Sequence, residues 1–298
     1  MTIDKKSLSE HWSIAYKHKD EQKFHLIRNP EWAWAADPFL VEYAGEIYLF
    51  AELFLYKSER NGVIGYCKWN GNGFDEWIVS MDKHWHLSYP NVFVQDGKLF
   101  LVPESYQRDD ISLYVLESFP DKWQRVNTLV DNVACVDTTF VDDGDSKYMY
   151  TFAPSFVENG GDLLLYKVLG SITSRACSCI KIMNITNNKE YARPAGHVFL
   201  SSKGKLIRPA QNCASGYGTG ITFMEIDSIE PTYKEHVVAY IGPENIEVEN
   251  QPVDIKYTGI HTYNAIDDLE VIDLKYSVSN EEEQEARERI RKVFVDKY

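Results

Sequence analysis

Acidic side chains stand at two recurring kinds of position in this sequence. Asp37 and Asp137 lie inside short apolar segments, and Glu52 and Glu104 directly follow runs of strand-forming residues. An acid that follows a buried strand is partly desolvated, which raises its pKa and suits a general acid. Two carboxyl groups facing one site are what the chemistry of a glycosidic bond requires. The sequence therefore predicts Asp37 as base or nucleophile, Glu104 as partner acid and Asp137 as an orienting and stabilising group. The alternative is that these acids bond turn amides or pair with basic side chains.

A second set of polar and aromatic residues is predicted to bind substrate. Histidines recur at similar places in three segments, although a single histidine usually has a structural role. Arginine is the side chain best suited to hold a phosphate or carboxylate, unless it pairs with a neighbouring acid. No ligand spacing supports a metal site, so neither a metal nor a cofactor is predicted. The predicted binding residues are Trp34, Glu52, His86, Ser88, Tyr89, His197, Arg208, Gln211, Tyr217 and His261.

Five segments carry most of these residues at what looks like one repeated structural place. The segments are Trp34–Leu40, His86–Phe93, Val136–Phe140, Ala195–Phe199 and Gly259–Tyr263. Their phenylalanines recur at intervals of roughly 50 to 60 residues, a period typical of propeller blades. The innermost strand of every propeller blade points at one central channel. Residues that are far apart in the sequence are therefore expected to converge.

The strand signals around these segments predict an all-β, five-bladed propeller. Apolar runs separated by tight turns such as Gln95-Asp-Gly97 are typical of hairpins. A single domain over 1–298 is expected, with blades at about 35–80, 84–131, 134–190, 193–242 and 252–278. The fifth blade is short, so a strand near Trp12–Tyr16 or Phe24–Ile27 is expected to complete it.

Two helices are also expected. Ser279-Asn280 followed by three glutamates is an N-terminal helix signal and predicts a short C-terminal helix over about 281–295. A second short helix is expected from Asp4 to His11.

Charge and cysteine content narrow the class of protein. A formal net charge of −14 argues against nucleic acid or an anionic membrane surface as a partner. Five cysteines, an odd number in a large chain, imply no disulfide framework and are expected to be reduced and mostly buried. The polar N-terminus and the lack of any run of 18 apolar residues predict a cytoplasmic protein without an integral membrane segment.

The sequence resembles a known propeller domain, the one found N-terminally in plant glucosamine inositolphosphorylceramide transferases. The resemblance covers about residues 24 to 275, and bacterial proteins similar to this domain occur in surface-polysaccharide biosynthesis. It implies a carbohydrate-active enzyme that transfers a sugar or related group. Its partners would be a nucleotide- or phosphate-activated sugar donor, a glycan acceptor and other enzymes of a polysaccharide pathway. The matching strings are Trp34-Ala-Ala-Asp-Pro-Phe-Leu, Leu49-Phe-Ala-Glu52, His86-Leu-Ser-Tyr-Pro, Pro103-Glu104, Arg208-Pro-Ala-Gln and Tyr217-Gly.

That family is similar in fold to the five-bladed furanosidase-type hydrolases, such as arabinanases and levanases. These enzymes use an Asp on blade one, an Asp on blade three and a Glu on blade four. Asp37 and Asp137 match the first two by position, but blade four offers Arg208 and Gln211 instead of an acid. The departure disfavours simple hydrolysis. A glycoside hydrolase whose general acid has moved to Glu104, or a non-catalytic glycan-binding module, are the alternatives.

Overall fold

The computed structural model describes residues 8–56 and 62–293, and these residues form a five-bladed β-propeller. The predicted fold is confirmed. The chain enters through β1 (Leu8–His18) and β2 (His25–Leu26), which belong to the last blade. Blades one to four then follow in chain order, each with its first strand innermost.

The strands of the first three blades alternate with short turns. Blade one contains β3 (Ala33–Tyr43), β4 (Glu46–Leu55), β5 (Gly62–Lys68) and β6 (Ile78–Met81). Blade two contains β7 (Ser88–Gln95), β8 (Lys98–Glu104), β9 (Asp110–Ser118) and β10 (Lys122–Asp131). Blade three contains β11 (Val136–Asp142), β12 (Lys147–Pro154), β13 (Gly161–Leu169) and β14 (Ser178–Thr186). All neighbouring strands within these blades are antiparallel.

Blade four differs because its innermost strand is split into two short pieces that both pair with the next strand. Its strands are β15 (Arg193–Pro194), β16 (Phe199–Leu200), β17 (Leu206–Asn212), β18 (Gly220–Ser228) and β19 (Lys234–Ile241). Blade five adds β20 (Tyr263–Ile266) and β21 (Leu269–Ser279), followed by the helix α1 (Asn280–Val293). Single 3₁₀ turns cover Tyr106–Arg108 and Pro243–Asn245.

The ring closes through the N-terminal strand. β1 pairs with β21 along its whole length, from Leu8 opposite Ser279 to His18 opposite Leu269. The strand order of blade five is therefore β2-β1-β21-β20, as the short fifth repeat predicts. The helix expected over Asp4–His11 is wrong for residues 8–11, because they belong to β1. Residues 4–7 lie outside the described residues. Pairing with β21 prevails there over local helix signals.

The innermost strands of blades one, two and three bend at equivalent points. In each strand two residues are skipped by the pairing with the next strand, which forms a β-bulge. The first skipped residues are Asp37 (φ 53°), Tyr89 (φ 40°) and Asp137 (φ 52°), all in the left-handed region. A bulge re-aims a side chain away from the regular alternation of a strand. Holding a non-glycine residue in this backbone conformation costs about 1–2 kcal/mol, which the surrounding sheet must offset.

Apolar clusters between neighbouring blades hold the ring together. α1 joins a separate cluster, in which Ile290 packs with Trp12, Trp34 and Tyr56. All five cysteines are free, and only Cys179 is not fully buried. In the described part of the chain, no helix is long and apolar enough to cross a lipid bilayer.

Candidate active site

Two of the three residues predicted to do chemistry, Asp37 and Glu104, meet at a cavity of about 210 Å³. The register of the sheets explains the meeting, because Glu52 lies opposite Ala36 in blade one and Glu104 lies opposite Ser88 in blade two. Blades one, two, four and five all contribute to the wall. The lining residues are Trp12, Trp34, Ala36, Asp37, Glu52, Phe54, His86, Ser88, Glu104, Arg193, Tyr217 and His261.

Asp37 is a buried carboxyl group that is held from both sides. Its Oδ2 accepts a hydrogen bond from the backbone N–H of Tyr89 (3.0 Å), and its Oδ1 accepts one from the Thr262 hydroxyl (2.9 Å). Burial raises the pKa of Asp37 to about 6, and the nearby charge of His261 limits the rise. At neutral pH the group is therefore an ionised base with a proton affinity well above that of an ordinary aspartate.

A second buried acid, Asp273, organises this corner of the site. Its Oδ1 accepts hydrogen bonds from the backbone N–H groups of His261 and Thr262 (both 2.9 Å), and its Oδ2 accepts one from the N–H of Asp37 (3.0 Å). Nδ1 of His261 lies 2.5 Å from Asp273 Oδ2, and Nε2 lies 3.6 Å from Asp37 Oδ1. Burial alone would lower the pKa of His261, but the charges of Asp273 and Asp37 raise it above its ordinary value. The imidazole thus lies between two carboxylates, whose charges favour its protonated form.

The same three side chains are close enough together to hold a metal ion. Ligand atoms of Asp37, His261 and Asp273 lie within 4.8 Å of one another. Both ring nitrogens of His261 face carboxylates, however, and both oxygens of Asp273 already accept backbone hydrogen bonds. We therefore describe this group as a charge network rather than as a metal centre.

Glu52 and Glu104 are the protonated acids of the cavity. Burial, followed by the charges of neighbouring carboxylates, raises the pKa of both groups well above the ordinary value. Among these charges the largest effect comes from Asp37 for Glu52 and from Asp137 for Glu104. Glu52 is buried, whereas Glu104 is only half-buried and opens to the cavity. The site therefore combines an ionised carboxylate with two carboxyl groups that keep their protons.

His86 lies beside Glu52 with a defined tautomer. Its Nδ1 accepts a hydrogen bond from the backbone N–H of Gly62 (3.0 Å), so the neutral ring carries its proton on Nε2, 3.5 Å from Glu52 Oε1. A Cβ atom at position 62 would lie 2.7 Å from both Glu52 Oε1 and His86 Cε1. Only glycine leaves room for this contact.

Asp137 lies behind the cavity wall and holds Arg193, which is part of that wall. Its Oδ2 accepts hydrogen bonds from Nε of Arg193 and from Nε2 of Gln211 (3.3 Å). Arg193 lines the cavity, whereas Asp137 and Gln211 do not. Gln211 also donates to the carbonyl of Pro194 (3.1 Å), which fixes its amide group.

Aromatic rings form the rest of the wall. Trp12 stacks on His261 with ring centroids 3.9 Å apart, and Trp34 stacks on Phe54 at 4.4 Å. Tyr217 meets His261 edge-on at 5.3 Å. Flat rings that present an apolar face beside polar groups suit a sugar, which has an apolar face and hydroxyl groups at its edge.

Eight of the residues predicted from the sequence line the cavity, and five others do not: Asp137, Tyr89, His197, Arg208 and Gln211. Arg208 is fully buried, and its guanidinium group pairs with Glu235 through contacts of 2.7 and 3.0 Å. The expectation that Arg208 faces the channel is wrong, because an acid on the outer strand β19 satisfies its charge. Gln211 supports Asp137 from behind the wall.

Tyr89 and His197 lie at the ring axis rather than in the cavity. The Tyr89 hydroxyl bonds Thr139 (2.8 Å) and accepts from the backbone N–H of Gly196 (2.7 Å), so it joins blades two, three and four. Nε2 of His197 lies 3.0 Å from Asn91 Oδ1, and burial lowers the pKa of His197 to about 4. Neither side chain lines the cavity. Their contact with substrate stays a prediction of the sequence, which this placement does not support.

The sequence does not single out four residues that line or organise the cavity: Trp12, Phe54, Arg193 and Asp273. Asp273 carried a usable signal, since a lone acid inside the apolar run Val271–Leu274 must find buried partners. Arg193 sits opposite Gln211 in the register, the position that Ala36 and Ser88 occupy in their blades, but no residue pattern marks it.

Comparison with known proteins identifies the family of the chain. Residues 27–261 match the family described as glucosamine inositolphosphorylceramide transferase 1, N-terminal. The chain belongs to this family.

The similar curated proteins are plant glucosamine inositolphosphorylceramide transferases. The one from Oryza sativa subsp. japonica is 27% identical over 218 residues, which is 71% of this chain and 28% of the relative. The one from Arabidopsis thaliana is 29% identical over 214 residues, which is 69% of this chain and 27% of the relative. This chain therefore matches little more than a quarter of the length of these proteins.

Solved structures share the fold at low sequence identity. An α-L-arabinofuranosidase from Podospora anserina superposes with a TM-score of 0.59 at 10% identity, covering 90% of this chain and 98% of the other. A β-fructofuranosidase from Bombyx mori gives 0.56 at 14% identity, covering 87% and 55%. Both likenesses concern the arrangement of the five blades.

Proposed function

We propose that this propeller is a carbohydrate-active enzyme that binds a sugar in the cavity and transfers a glycosyl or related group during glycan assembly. One observation carries the proposal: an ionised carboxylate, Asp37, shares an aromatic-lined cavity with two carboxyl groups that keep their protons, Glu52 and Glu104. In acid–base catalysis, neighbouring acids typically have different pKa values because their environments differ, and each acid therefore has a different role. A volume of about 210 Å³ leaves room for one sugar unit rather than for a long chain.

Asp37 and Glu104 take the two proton-handling roles. Glu104 opens to the cavity and donates its proton to the oxygen of the leaving group as the glycosidic or phosphoester bond breaks. Asp37 removes the proton of the incoming hydroxyl group, or attacks the sugar itself. The charge of Asp137 raises the pKa of Glu104 and so helps that acid to keep its proton until the leaving group takes it. Glu52 with His86 holds hydroxyl groups of the sugar.

Transfer is favoured over hydrolysis for two reasons. Blade four, on which the furanosidase-type hydrolases would place an acid, contributes Arg193 and Tyr217 to the cavity wall and no carboxyl group. The matched relatives also carry a transferase name, although this chain covers 28% of the rice protein. Placement in the cytoplasm and the presence of partner enzymes stay predictions of the sequence.

A non-catalytic glycan-binding module is the second candidate. It is favoured by the family match, which is to an N-terminal part of the relatives. The reaction in their name therefore belongs to proteins much longer than the matched region.

A binding screen followed by a turnover assay tests the proposal. Sugar nucleotides, sugar phosphates and oligosaccharides are screened for thermal stabilisation, because a ligand of the native state raises the melting temperature. The ligands that bind are then assayed for transfer and for hydrolysis with wild type, Glu104→Gln and the control Glu117→Gln, an exposed acid of the same blade. We expect Glu104→Gln to bind ligand but to lose turnover, while the control keeps both. Binding without turnover in wild type would favour the module, and a failure of every sugar to bind would refute both candidates.

A further inference from the structure

Arg193 presents a guanidinium group at the cavity wall in a fixed plane. Its Nε donates to Asp137 Oδ2, and its Cζ lies 5.0 Å from the ring centre of Tyr217 and 5.7 Å from that of Phe152. The side chain is 22% exposed and lines the cavity. One edge of the guanidinium fork is therefore committed to an internal acid, and the group cannot easily turn.

The rest of the fork is unused. Among residues 8–56 and 62–293, no hydrogen bond reaches the Nη atoms of Arg193, and no acid other than Asp137 lies within 4 Å of the side chain. Arg208 on the same blade is the opposite case, because it is fully buried and its Nε and one Nη are taken up by Glu235 and a backbone carbonyl. The free donors of Arg193 thus border the space that a ligand would fill.

We propose that the cavity takes an anionic sugar, one bearing a carboxylate or a phosphate, and that the oxygens of this group bind the Nη atoms of Arg193. The proposal rests on the proposed function, namely that the cavity binds a sugar. A planar guanidinium with two parallel donors matches the oxygens of a carboxylate or phosphate, and such charge-assisted bonds are about twice as strong as neutral ones.

The other charges around the cavity permit an anion there. Asp137 is paired with Arg193, and Asp37 and Asp273 both face the imidazole of His261, whose protonated form they favour. Glu52 and Glu104 keep their protons, because burial and neighbouring carboxylates raise the pKa of both groups well above the ordinary value. The acid-rich wall therefore repels an anion much less than its composition suggests.

Matched pairs of small ligands test this inference on the unmodified protein. Titration calorimetry compares methyl glucuronoside with methyl glucoside, methyl galacturonoside with methyl galactoside, and glucose 1-phosphate with inorganic phosphate. We expect at least one uronoside to bind about tenfold or more tightly than its neutral partner, or glucose 1-phosphate to bind that much more tightly than methyl glucoside. A preference for the uronosides identifies a carboxylate ligand, and a preference for glucose 1-phosphate identifies a phosphate.

Two variants locate the preference. Arg193→Gln removes the charge and should abolish the difference between acidic and neutral sugars, whereas Arg193→Lys keeps Asp137 paired and should retain a reduced difference. Arg28→Gln, at an exposed arginine outside the cavity, is the control and should change nothing. Far-ultraviolet circular dichroism and the melting temperature show whether each variant is folded. If Arg193→Gln does not fold, the comparison of acidic with neutral ligands on wild type tests the anion preference.

The outcomes separate this inference from the proposed function. Equal binding of acidic and neutral sugars by wild type would overturn the anion preference and leave sugar binding standing. An acidic preference that survives in folded Arg193→Gln would also overturn it, since another group would then be the anion site. If none of these sugars binds, the inference fails together with the premise that the cavity holds a sugar.

Discussion

Asp37 and Asp137 occupy the same place in two blades and yet do different work. Both are the first skipped residue of a β-bulge, with φ of 53° and 52°. Asp37 lines the cavity and is bound by a backbone N–H, a hydroxyl group and an imidazole. Asp137 stays behind the wall and is bound by a guanidinium and an amide. The backbone repeat sets where the carboxyl group stands, and the partners from other blades set what it can do.

The equivalent bulge in blade two carries a tyrosine instead of an acid. There the first skipped residue is Tyr89, whose hydroxyl joins Thr139 and Gly196 at the ring axis. Its backbone N–H nevertheless serves Asp37. A repeated backbone device thus carries one acid facing the cavity, one supporting acid and one structural tyrosine.

The strongest test of this comparison replaces each aspartate by asparagine. Asp37→Asn removes the base and should lower turnover by about 10²–10⁴-fold, the usual contribution of a general acid–base group. Asp137→Asn should lower turnover less, because its carboxylate acts through Glu104 and Arg193. Steady-state rates on the sugar substrate identified by screening measure both effects. Equal losses would break the comparison, and unchanged turnover in Asp37→Asn would refute its assignment.

Stability should distinguish the partners of the two aspartates. Asp273→Asn leaves the buried imidazolium of His261 with one fewer counter-charge in a fully buried network, and we expect a loss of about 3–5 kcal/mol in the free energy of unfolding. Asp137→Asn should cost less, since Arg193 is partly exposed to the cavity and keeps some hydration. Urea denaturation of both variants measures the difference, and the reverse order would contradict it.

Tyr89→Phe probes the third bulge. The loss of the hydroxyl leaves the buried N–H of Gly196 and the Thr139 hydroxyl short of a partner, which should cost about 1–3 kcal/mol. Ligand affinity should not change, because the ring does not line the cavity. Urea denaturation together with ligand titration checks both halves, and a stable variant with weakened binding would argue that Tyr89 contacts substrate after all.

The pH dependence of the free energy of unfolding should show whether Glu52 is protonated in the folded state. The folded-state pKa of Glu52 is raised, so above its ordinary value of 4.5 the folded state holds a proton that the unfolded state has released. Its contribution to stability therefore falls as pH rises from about 4.5 to the folded-state pKa, by about 1.4 kcal/mol per pH unit. Glu52→Gln should remove this decline, measured by urea denaturation between pH 5 and 8. Parallel curves for variant and wild type would show that Glu52 is not protonated in the folded state.

The fold was predictable because its signals repeat. Turn residues, apolar runs and the recurring phenylalanines mark each blade, and the shortness of the fifth repeat required a strand from the other end of the chain. The helix expected at Asp4–His11 was wrong where it can be compared, since the pairing of β1 with β21 is a long-range contact that local sequence does not show.

The site was predictable in its acids but not in its arginine. Asp37 stands at a bulge, Glu104 ends its strand, and Glu52 lies inside β4 opposite the residue before the bulge, so blade geometry aims all three inward. Arg193 and Arg208 are both arginines of blade four, and their roles depend on Glu235, an acid on the outermost strand β19 that pairs with Arg208. Such a choice between partners depends on three-dimensional distances, which spacing along the chain does not encode.

Closure through β1 means that the pocket is built from both ends of the described chain. Trp12 lies on β1, while the strand that pairs with it and the histidine that it stacks on come from the opposite end of the described residues. Four finished blades would therefore still lack one wall of the cavity. The cavity is therefore complete only once β1 has docked on β21, so its shape depends on a contact between the most distant parts of the described chain.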